Sequence, residues 1–154
     1  FYGDNNANAS AADANINAIL SDDNVSVGVA ASATISGSTV TVETLTKFYS
    51  NLGEHYIGVY LLEDNVMADQ QISGSSNPTT TAHNNVIRIS SYELNSLGAQ
   101  SIGTSFTANQ EVSGTYSIPV WTAGWNVENL QVAVVIWSST NADGISNSII
   151  VDVN

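Results

Sequence analysis

Residues 25–48, VSVGVAASATISGSTVTVETLTKF, decide the fold class of this chain. Apolar residues alternate with small or polar ones on both sides of Ser36-Gly37-Ser38. A period of two places every second side chain on the same face of a β-strand, and the break around Gly37 is typical of a tight turn. The stretch therefore predicts a β-hairpin with one buried face.

The same period recurs in shorter runs along the rest of the chain. Residues 56–63 are apolar on both faces, which is typical of a strand in the middle of a sheet, and residues 130–138 form a second strongly apolar run. Weaker strands are predicted at 66–72, 86–90, 104–109, 114–120 and 145–153, with a polar loop at 73–85 and irregular chain at 91–103. About seven to nine short strands joined by turns predict an all-β fold, an antiparallel, immunoglobulin-like β-sandwich.

The first residues of the chain follow a different pattern. Ser10 opens a short predicted helix over residues 10–21, because its hydroxyl can cap the first helical turn. We therefore divide the chain into an N-terminal arm with one short N-terminal helix, residues 1–22, and a β-sandwich domain, residues 23–154.

Residues 1–9 are polar and turn-prone, yet they begin with two aromatic residues, Phe1 and Tyr2. One interpretation is a disordered terminus. The alternative is an assembly arm, which adds to the exposed sheet edge of a neighbouring molecule while Phe1 and Tyr2 fill surface pockets. Deletion of residues 1–9 distinguishes the two, because only an arm is needed for oligomers.

Composition excludes several classes of function. The chain has 154 residues, enough for one domain with its own core, and no cysteine. The lack of cysteine excludes disulfides, zinc–thiolate sites, iron–sulfur clusters and thiol nucleophiles. Two basic residues stand against fourteen acidic ones, a net charge of −12. So acidic a surface cannot neutralise a phosphate backbone, which excludes nucleic acid as a partner and disfavours anionic membranes.

The composition also indicates where the protein works. Ser, Thr and Asn are abundant while Lys and Arg occur once each, a balance that suits a secreted bacterial surface protein and keeps it soluble. No apolar run reaches the roughly 18 residues that a transmembrane helix needs. Because the sequence begins at Phe1 rather than Met, we interpret it as a mature or excised product whose targeting segment has been removed.

Three stretches together carry a family resemblance: VYLLEDNVMADQQ (59–71), HNNVIR (83–88) and WNVENLQVAVVIW (125–137). In this order they resemble the C-terminal β-sandwich of the twenty-eight-kilodalton outer membrane protein family of Bacteroidota. The resemblance implies a β-sandwich and a cell-surface, outer-membrane-associated location rather than a particular chemistry. Members often carry an N-terminal thioredoxin-like domain with a Cys-x-x-Cys pair. That domain is missing from this sequence, so the resemblance implies no thiol–disulfide role.

Five polar residues cluster near two predicted strand ends. Glu63 and Asp64 end an apolar strand, and His83, Asn84 and Arg88 lie where a neighbouring strand begins. We interpret them as a structural network, in which the only arginine pairs with one of the two carboxylates and holds two strands in register. The alternatives are a calcium site and a general acid/base pair.

Three further aspartates suggest a metal site. Asp22 and Asp23 lie at the junction between the predicted helix and the first strand, and Asp143 lies in a turn. Calcium prefers such oxygen ligands, although solvated turns have the same composition. We expect no cofactor, with calcium as the alternative.

Two tryptophans, Trp121 and Trp125, share a loop near Tyr116. Exposed aromatic rings can stack on sugars, so these three residues form a candidate glycan-binding platform. The competing interpretation is that the indole rings plug the open end of the sandwich core, and for Trp125 we favour this structural role.

Nucleophilic catalysis has little support. The sequence has no Gly-x-Ser-x-Gly elbow, and only His55 and His83 could serve a catalytic triad. His55 begins the central strand and is expected to face the preceding loop. We therefore predict no catalytic residues and no enzyme activity.

These observations favour a non-enzymatic, extracellular or cell-surface structural protein. It would act through self-assembly, as a homo-oligomer or filament, or through packing with other surface proteins, because so few lysines leave its strand edges without the usual protection. The alternative is a glycan-binding adhesion module that uses the aromatic loop.

Overall fold

The computed structural model describes residues 25–71, 78–92, 97–121, 124–138 and 144–154. They form ten β-strands and one turn of 3-10 helix, Val127–Asn129. The strands are β1 (Val27–Ser36), β2 (Thr39–Phe48), β3 (His55–Glu63), β4 (Val66–Gln70), β5 (Thr79–His83), β6 (Val86–Ser90), β7 (Ala99–Gly103), β8 (Glu111–Pro119), β9 (Leu130–Trp137) and β10 (Ile145–Asp152).

The described strands form two sheets and one separate hairpin. The first sheet has the strand order β1-β2-β8. The second has the order β10-β9-β3, with β6 and β7 following one another along the free side of β3. β4 and β5 pair with each other. All these pairs are antiparallel, so the predicted fold class, an all-β antiparallel sandwich, is confirmed.

The predicted hairpin at residues 25–48 corresponds to β1 and β2. Their register runs without a shift from Val27 opposite Phe48 to Ser36 opposite Thr39. Gly37 in the turn has a φ of 60°, an angle that glycine adopts without steric cost. Every even-numbered residue of β2 is buried, as the alternation predicts.

The core consists of side chains from alternate strand positions, packed together away from water. Most of its members are branched aliphatic side chains, and burial of each Val, Leu or Ile contributes about 1.5–3 kcal/mol. The core residues are Val27, Ala33, Val40, Val42, Phe48, Ile57, Val59, Leu61, Phe106, Ile118, Val120, Leu130, Val132, Val134 and Ile136. β3 is buried on nearly both faces, as predicted for a central strand.

Three local predictions are wrong. The predicted loop at 73–85 contains β5, and the predicted irregular chain at 91–103 contains β7. The predicted strand at 104–109 is not one, because Phe106 makes only an isolated bridge with Leu52 and stacks its ring on Phe48 at 3.8 Å between centroids. β5 and β7 contain few apolar residues, so they become strands through the backbone partners that β4 and β3 offer.

The predicted helix at 10–21 and the predicted arm with Phe1 and Tyr2 lie outside the described residues. The division of the chain at residue 22 therefore stays a prediction.

The two edges of the β1-β2-β8 sheet differ. β1 is closed by the C-terminus: Ala33 bridges Val153, Asn154 N–H donates to the Ala33 carbonyl at 3.0 Å, and Ile35 N–H donates to the Asn154 carbonyl at 2.9 Å. At the other edge, β8 pairs with β2 and with no other described strand. β8 is thus the open edge of this sheet in the described part of the chain.

Candidate functional site

A buried ion pair lies where β3 ends. Glu63, the last residue of β3, is 4% exposed. Its Oε2 accepts a hydrogen bond of 2.7 Å from Nε of Arg88 on β6, and its Oε1 accepts one of 2.8 Å from the backbone N–H of Asn126. A buried carboxylate needs such partners, because an unpaired buried charge is strongly destabilising. Arg88 therefore pairs with Glu63 and not with Asp64.

Arg88 also lies over an aromatic ring. Its guanidinium carbon is 5.7 Å from the ring centroid of Trp125, within the range of a cation–π attraction. Trp125 is half-buried against the core. Glu63 thus holds both the Arg88 guanidinium over this ring and the backbone of Asn126, the residue that follows Trp125. We call Glu63, Arg88, Trp125 and Asn126 the brace.

Trp121 lies beside the brace and is largely exposed. Its ring centroid is 6.0 Å from that of Trp125, and the two ring planes are tilted by 32°. Trp121 is 65% exposed. The structure therefore brings the two predicted tryptophans together, with Trp125 packed on the core and Trp121 exposed to solvent.

Tyr116 lies on the inward face of β8. Even-numbered residues of β8 point inwards, because successive side chains of a strand alternate, and Tyr116 packs against the core. Burial raises the pKa of Tyr116, and hydrogen bonds with the side chains of Gln100 and Thr44 oppose the rise in part. The prediction that Tyr116 belongs to an exposed platform with Trp121 is therefore corrected.

The ladder between β3 and β6 continues into β4 and β5 after a two-residue interruption on each side. The interruption consists of Asp64-Asn65 on one side and Asn84-Asn85 on the other. Asn65 and Asn85 have positive φ angles of 56° and 54°, which asparagine tolerates better than most residues.

Reciprocal hydrogen bonds hold this interruption. Oδ1 of Asp64 accepts from the N–H of Asn85 at 2.7 Å, and Oδ1 of Asn84 accepts from the N–H of Asn65 at 3.1 Å. We call these four residues the Asn corner. At the Asn corner the chain leaves the sandwich to form the β4–β5 hairpin, so Asp64 and Asn84 act on backbone geometry rather than on Arg88.

The remaining predicted site residues are not assembled into one cluster. Nε2 of His83 lies 3.3 Å from Oγ1 of Thr81, so its partner is a threonine and not a carboxylate. Among the described residues, no three His, Asp or Glu side chains form a group that could hold a metal ion. The predicted calcium ligands Asp22, Asp23 and Asp143 lie outside those residues, and that site stays a prediction.

A second buried polar contact, around His55, was not predicted from the sequence. His55 is 3% exposed, and its ring packs edge-on against Phe48 and Phe106, with centroids 5.2 and 5.8 Å away. Its Nε2 lies 3.2 Å from Oγ of Ser146, and its Nδ1 lies 3.1 Å from the carbonyl oxygen of Gly53. Nδ1 of His55 thus contacts the preceding loop, as expected, while the ring itself lies in the core with both nitrogens partnered.

The fold and the site define a class of protein: a β-sandwich module whose buried polar groups brace the ends of strands, with an exposed tryptophan beside the brace. Comparison with known proteins then identifies the family. The sequence model of the outer membrane protein Omp28 family matches residues 2–153, and the chain belongs to this family. No curated protein matches the sequence significantly.

Two solved structures share the fold. A domain of the outer membrane lipoprotein Omp28 from Porphyromonas gingivalis superimposes with a TM-score of 0.53 at 16% identity, covering 84% of this chain and 96% of that one. HBP35 of Porphyromonas gingivalis superimposes with a TM-score of 0.64 at 13% identity, covering 93% of this chain and 46% of that one. The chain therefore spans less than half the length of HBP35, and these likenesses show the fold alone.

Family membership also settles the location. As a member of an outer membrane protein family, the chain is a bacterial cell-surface protein associated with the outer membrane, as predicted. In the part of the chain that the structure describes, no helix has the length and apolar character to cross a membrane.

Proposed function

We propose that this domain is a non-enzymatic structural module of the cell surface that acts through self-association. Family membership supports the location. The open edge of β8 is the observation that carries the mode of action, and other surface proteins are the alternative partners for the same edge.

Among the described residues, the β8 edge lacks most of the protection that strand edges usually carry. β8 is nine residues long and follows β2 without a register shift. It contains no charged residue from Val112 to Pro119. Natural edges are usually blocked by lysines, inward charges, bulges or covering loops, whereas β8 has one glutamate at its start and one proline at its end. Such an edge is a template for an additional strand.

The described polar clusters support structural rather than catalytic roles. Both carboxylate oxygens of Glu63 accept hydrogen bonds, and the ring of His55 is enclosed by Phe48 and Phe106. We therefore expect no hydrolase or redox turnover in an activity screen. Turnover that disappears in Glu63→Gln or His83→Ala would contradict this part of the proposal.

The test of self-association is a charge placed on the open edge. Thr115 lies in the middle of β8 and is exposed, so Thr115→Lys adds the cation that natural edges use as a block. Thr34→Lys is the matched control, because it adds the same charge to an exposed position of β1, the opposite strand of the same sheet.

We expect sedimentation velocity and electron microscopy of the unmodified chain to show concentration-dependent oligomers. Thr115→Lys should shift them to monomer, and Thr34→Lys should not. A chain that stays monomeric at all concentrations, or two variants that behave alike, would refute the proposal.

A second function, glycan binding, is favoured by the exposure of Trp121. An indole ring that is 65% exposed and tilted by 32° against a second ring offers a face on which a pyranose can stack. The brace keeps Trp125 in place beside it. The site carries no net charge from the brace, since Arg88 and Glu63 neutralise one another, so neutral sugars fit it better than acidic ones.

Glycan binding predicts a specific loss. Trp121→Ala should abolish binding on a glycan array and leave the melting temperature unchanged. Tyr49→Ala is the control, because Tyr49 is also exposed, at 49%, but lies at the opposite end of β2. Tyr49 follows the last residue of β2, whereas Val120, the neighbour of Trp121, bonds Ser38 just before the first residue of β2. No binding across the array, together with a destabilised Trp121→Ala variant, would leave only the structural role.

A further inference from the structure

We propose that the β4–β5 hairpin of one copy of this chain adds to the β8 edge of the next copy. This inference rests on the proposed self-association and names the two surfaces that meet. It makes the contact heterologous: the donor hairpin and the acceptor edge are different parts of the molecule.

The backbone of β8 has bonding groups directed away from its own sheet. At the two ends of the β2–β8 ladder, Phe48 N–H donates to the Gln110 carbonyl at 2.9 Å and Val120 N–H donates to the Ser38 carbonyl at 2.8 Å. Hydrogen-bonded and non-hydrogen-bonded residue pairs alternate in an antiparallel ladder. Because Gln110 and Val120 both belong to bonded pairs, the backbone groups of the even-numbered residues of β8 bond β2. The N–H groups directed to the open edge are those of Glu111, Ser113, Thr115 and Ser117.

The hairpin pairs with no other described strand. β4 and β5 pair with each other and join neither sheet of the sandwich. Seven of their ten residues are exposed, including Met67 at 63%. Beyond the Asn corner no third described strand lies beside β4 and β5, and an added strand stabilises a two-stranded ladder. The β8 edge of another copy supplies that strand.

The Asn corner gives the hairpin a defined direction. Its two reciprocal hydrogen bonds, of 2.7 and 3.1 Å, fix the point at which the ladder leaves the sandwich. A hairpin held in this way loses less conformational entropy on binding than a free arm. The three consecutive threonines of β5 are β-branched and suit an extended strand.

Charge selects this pair of surfaces. Two copies of a chain with a net charge of −12 repel each other, so a contact must avoid unpaired carboxylates. The hairpin strands carry only Asp69, whose Oδ1 accepts a hydrogen bond of 2.5 Å from Thr80. β8 carries only Glu111, which pairs with Lys47 at 3.0 Å. Glu111 is neutralised by Lys47 inside its own copy, which leaves Asp69 as the single unneutralised carboxylate of the two surfaces. The hairpin and the edge therefore repel each other little.

A heterologous contact propagates unless its rotation closes a ring. Each copy that receives a hairpin on β8 still presents its own hairpin to another copy. The expected product is an open chain of molecules. Pairing of two β8 edges around a twofold axis would instead stop at a dimer.

The absence of cysteine from the sequence makes a cross-linking test clean. One variant carries Ala68→Cys in the hairpin and a second carries Thr115→Cys in β8, both at exposed positions. The two proteins are mixed and treated with a short bismaleimide, which can join the two cysteines in several strand registers. Thr34→Cys on β1 replaces Thr115→Cys in the control mixture.

We expect a covalent heterodimer of the Ala68→Cys and Thr115→Cys chains, and none in the control mixture. A homodimer of the Thr115→Cys chain alone would overturn the hairpin contact in favour of edge-to-edge pairing while leaving self-association standing. Equal yields in the two mixtures would overturn it as random collision. A heterodimer that disappears when residues 1–9 are deleted would overturn it in favour of the N-terminal arm. Failure of self-association itself is read separately, from sedimentation of the unmodified chain.

Discussion

Replacement of Arg88 by methionine tests the brace directly. Arg88→Met removes the guanidinium that bonds Glu63 at 2.7 Å while keeping an unbranched, apolar side chain of similar length. Glu63 is then left with one hydrogen bond, from Asn126 N–H. The variant therefore measures how much free energy of unfolding is lost when a buried carboxylate has no cation beside it.

The magnitude follows from the burial of the two partners. Removal of one member of a buried ion pair costs about 3–5 kcal/mol. The side chain of Arg88 is 22% exposed against 5% for Glu63, and Asn126 still donates, so we reduce this term to about 2–3 kcal/mol. Loss of the contact with Trp125 adds about 0.5–1 kcal/mol. We expect a total destabilisation of about 2.5–4 kcal/mol, or about 5–16 °C in melting temperature for a chain of this size.

The measurement is urea unfolding followed by far-UV circular dichroism, since the fluorescence of Trp125 changes with its neighbour. Lys47→Met is the matched control, because it removes the only other cation from an exposed pair with Glu111, with side chains 37% and 48% exposed. An exposed pair contributes about 0–1 kcal/mol. Equal losses of unfolding free energy in Arg88→Met and Lys47→Met would refute the reasoning.

A double variant separates loss of the pair from loss of packing. Arg88→Met combined with Glu63→Met leaves no buried charge, and replacement of both partners by apolar groups is often close to neutral. The double variant should be more stable than Arg88→Met alone. If it is less stable, packing rather than charge dominates this end of the sandwich.

Two further predictions concern the tyrosines and the Asn corner. Burial raises the pKa of Tyr116 and Tyr60 above the 10.0 of a free tyrosine, so the unfolded chain ionises first and the free energy of unfolding should fall as the pH rises above about 10. Tyr116→Phe should make this fall less steep in urea titrations at alkaline pH, and an unchanged slope would contradict the assignment. Asn65→Ala should lower the free energy of unfolding by about 1 kcal/mol, because the left-handed backbone at a φ of 56° is unfavourable for alanine. Asn65→Gly should melt like the unmodified chain, and equal melting temperatures of the two variants would show that the Asn corner carries no such strain.

Much of the architecture could be predicted from local pattern. The alternation in residues 25–48 predicted β1 and β2 correctly, and the two-sided apolar run at 56–63 predicted a central strand. These predictions succeed because side-chain alternation is a property of a single strand. They fail at β5 and β7, whose residues are polar or small and whose strand character comes from the neighbours that they pair with.

The site was only partly accessible to the same reasoning. The sequence singled out Arg88 together with Glu63 and Asp64, but it left the choice between the two carboxylates open. Adjacent residues of a strand point to opposite faces, so a shift of one residue in register would exchange them. The contact between His55 and Ser146 joins residues 91 positions apart, and no local signal marks it.

The sequence by itself determined the all-β class, the acidic and cysteine-free surface, and the resemblance that led to the outer membrane family. These properties depend on composition and on periods of a few residues, which the chain carries whatever its neighbours are. Only the tertiary structure decided that Arg88 meets Glu63, that Tyr116 packs against the core, and that β8 pairs with β2 alone among the described strands. Each of these depends on strand order and register, which are set by pairing between segments far apart in the chain.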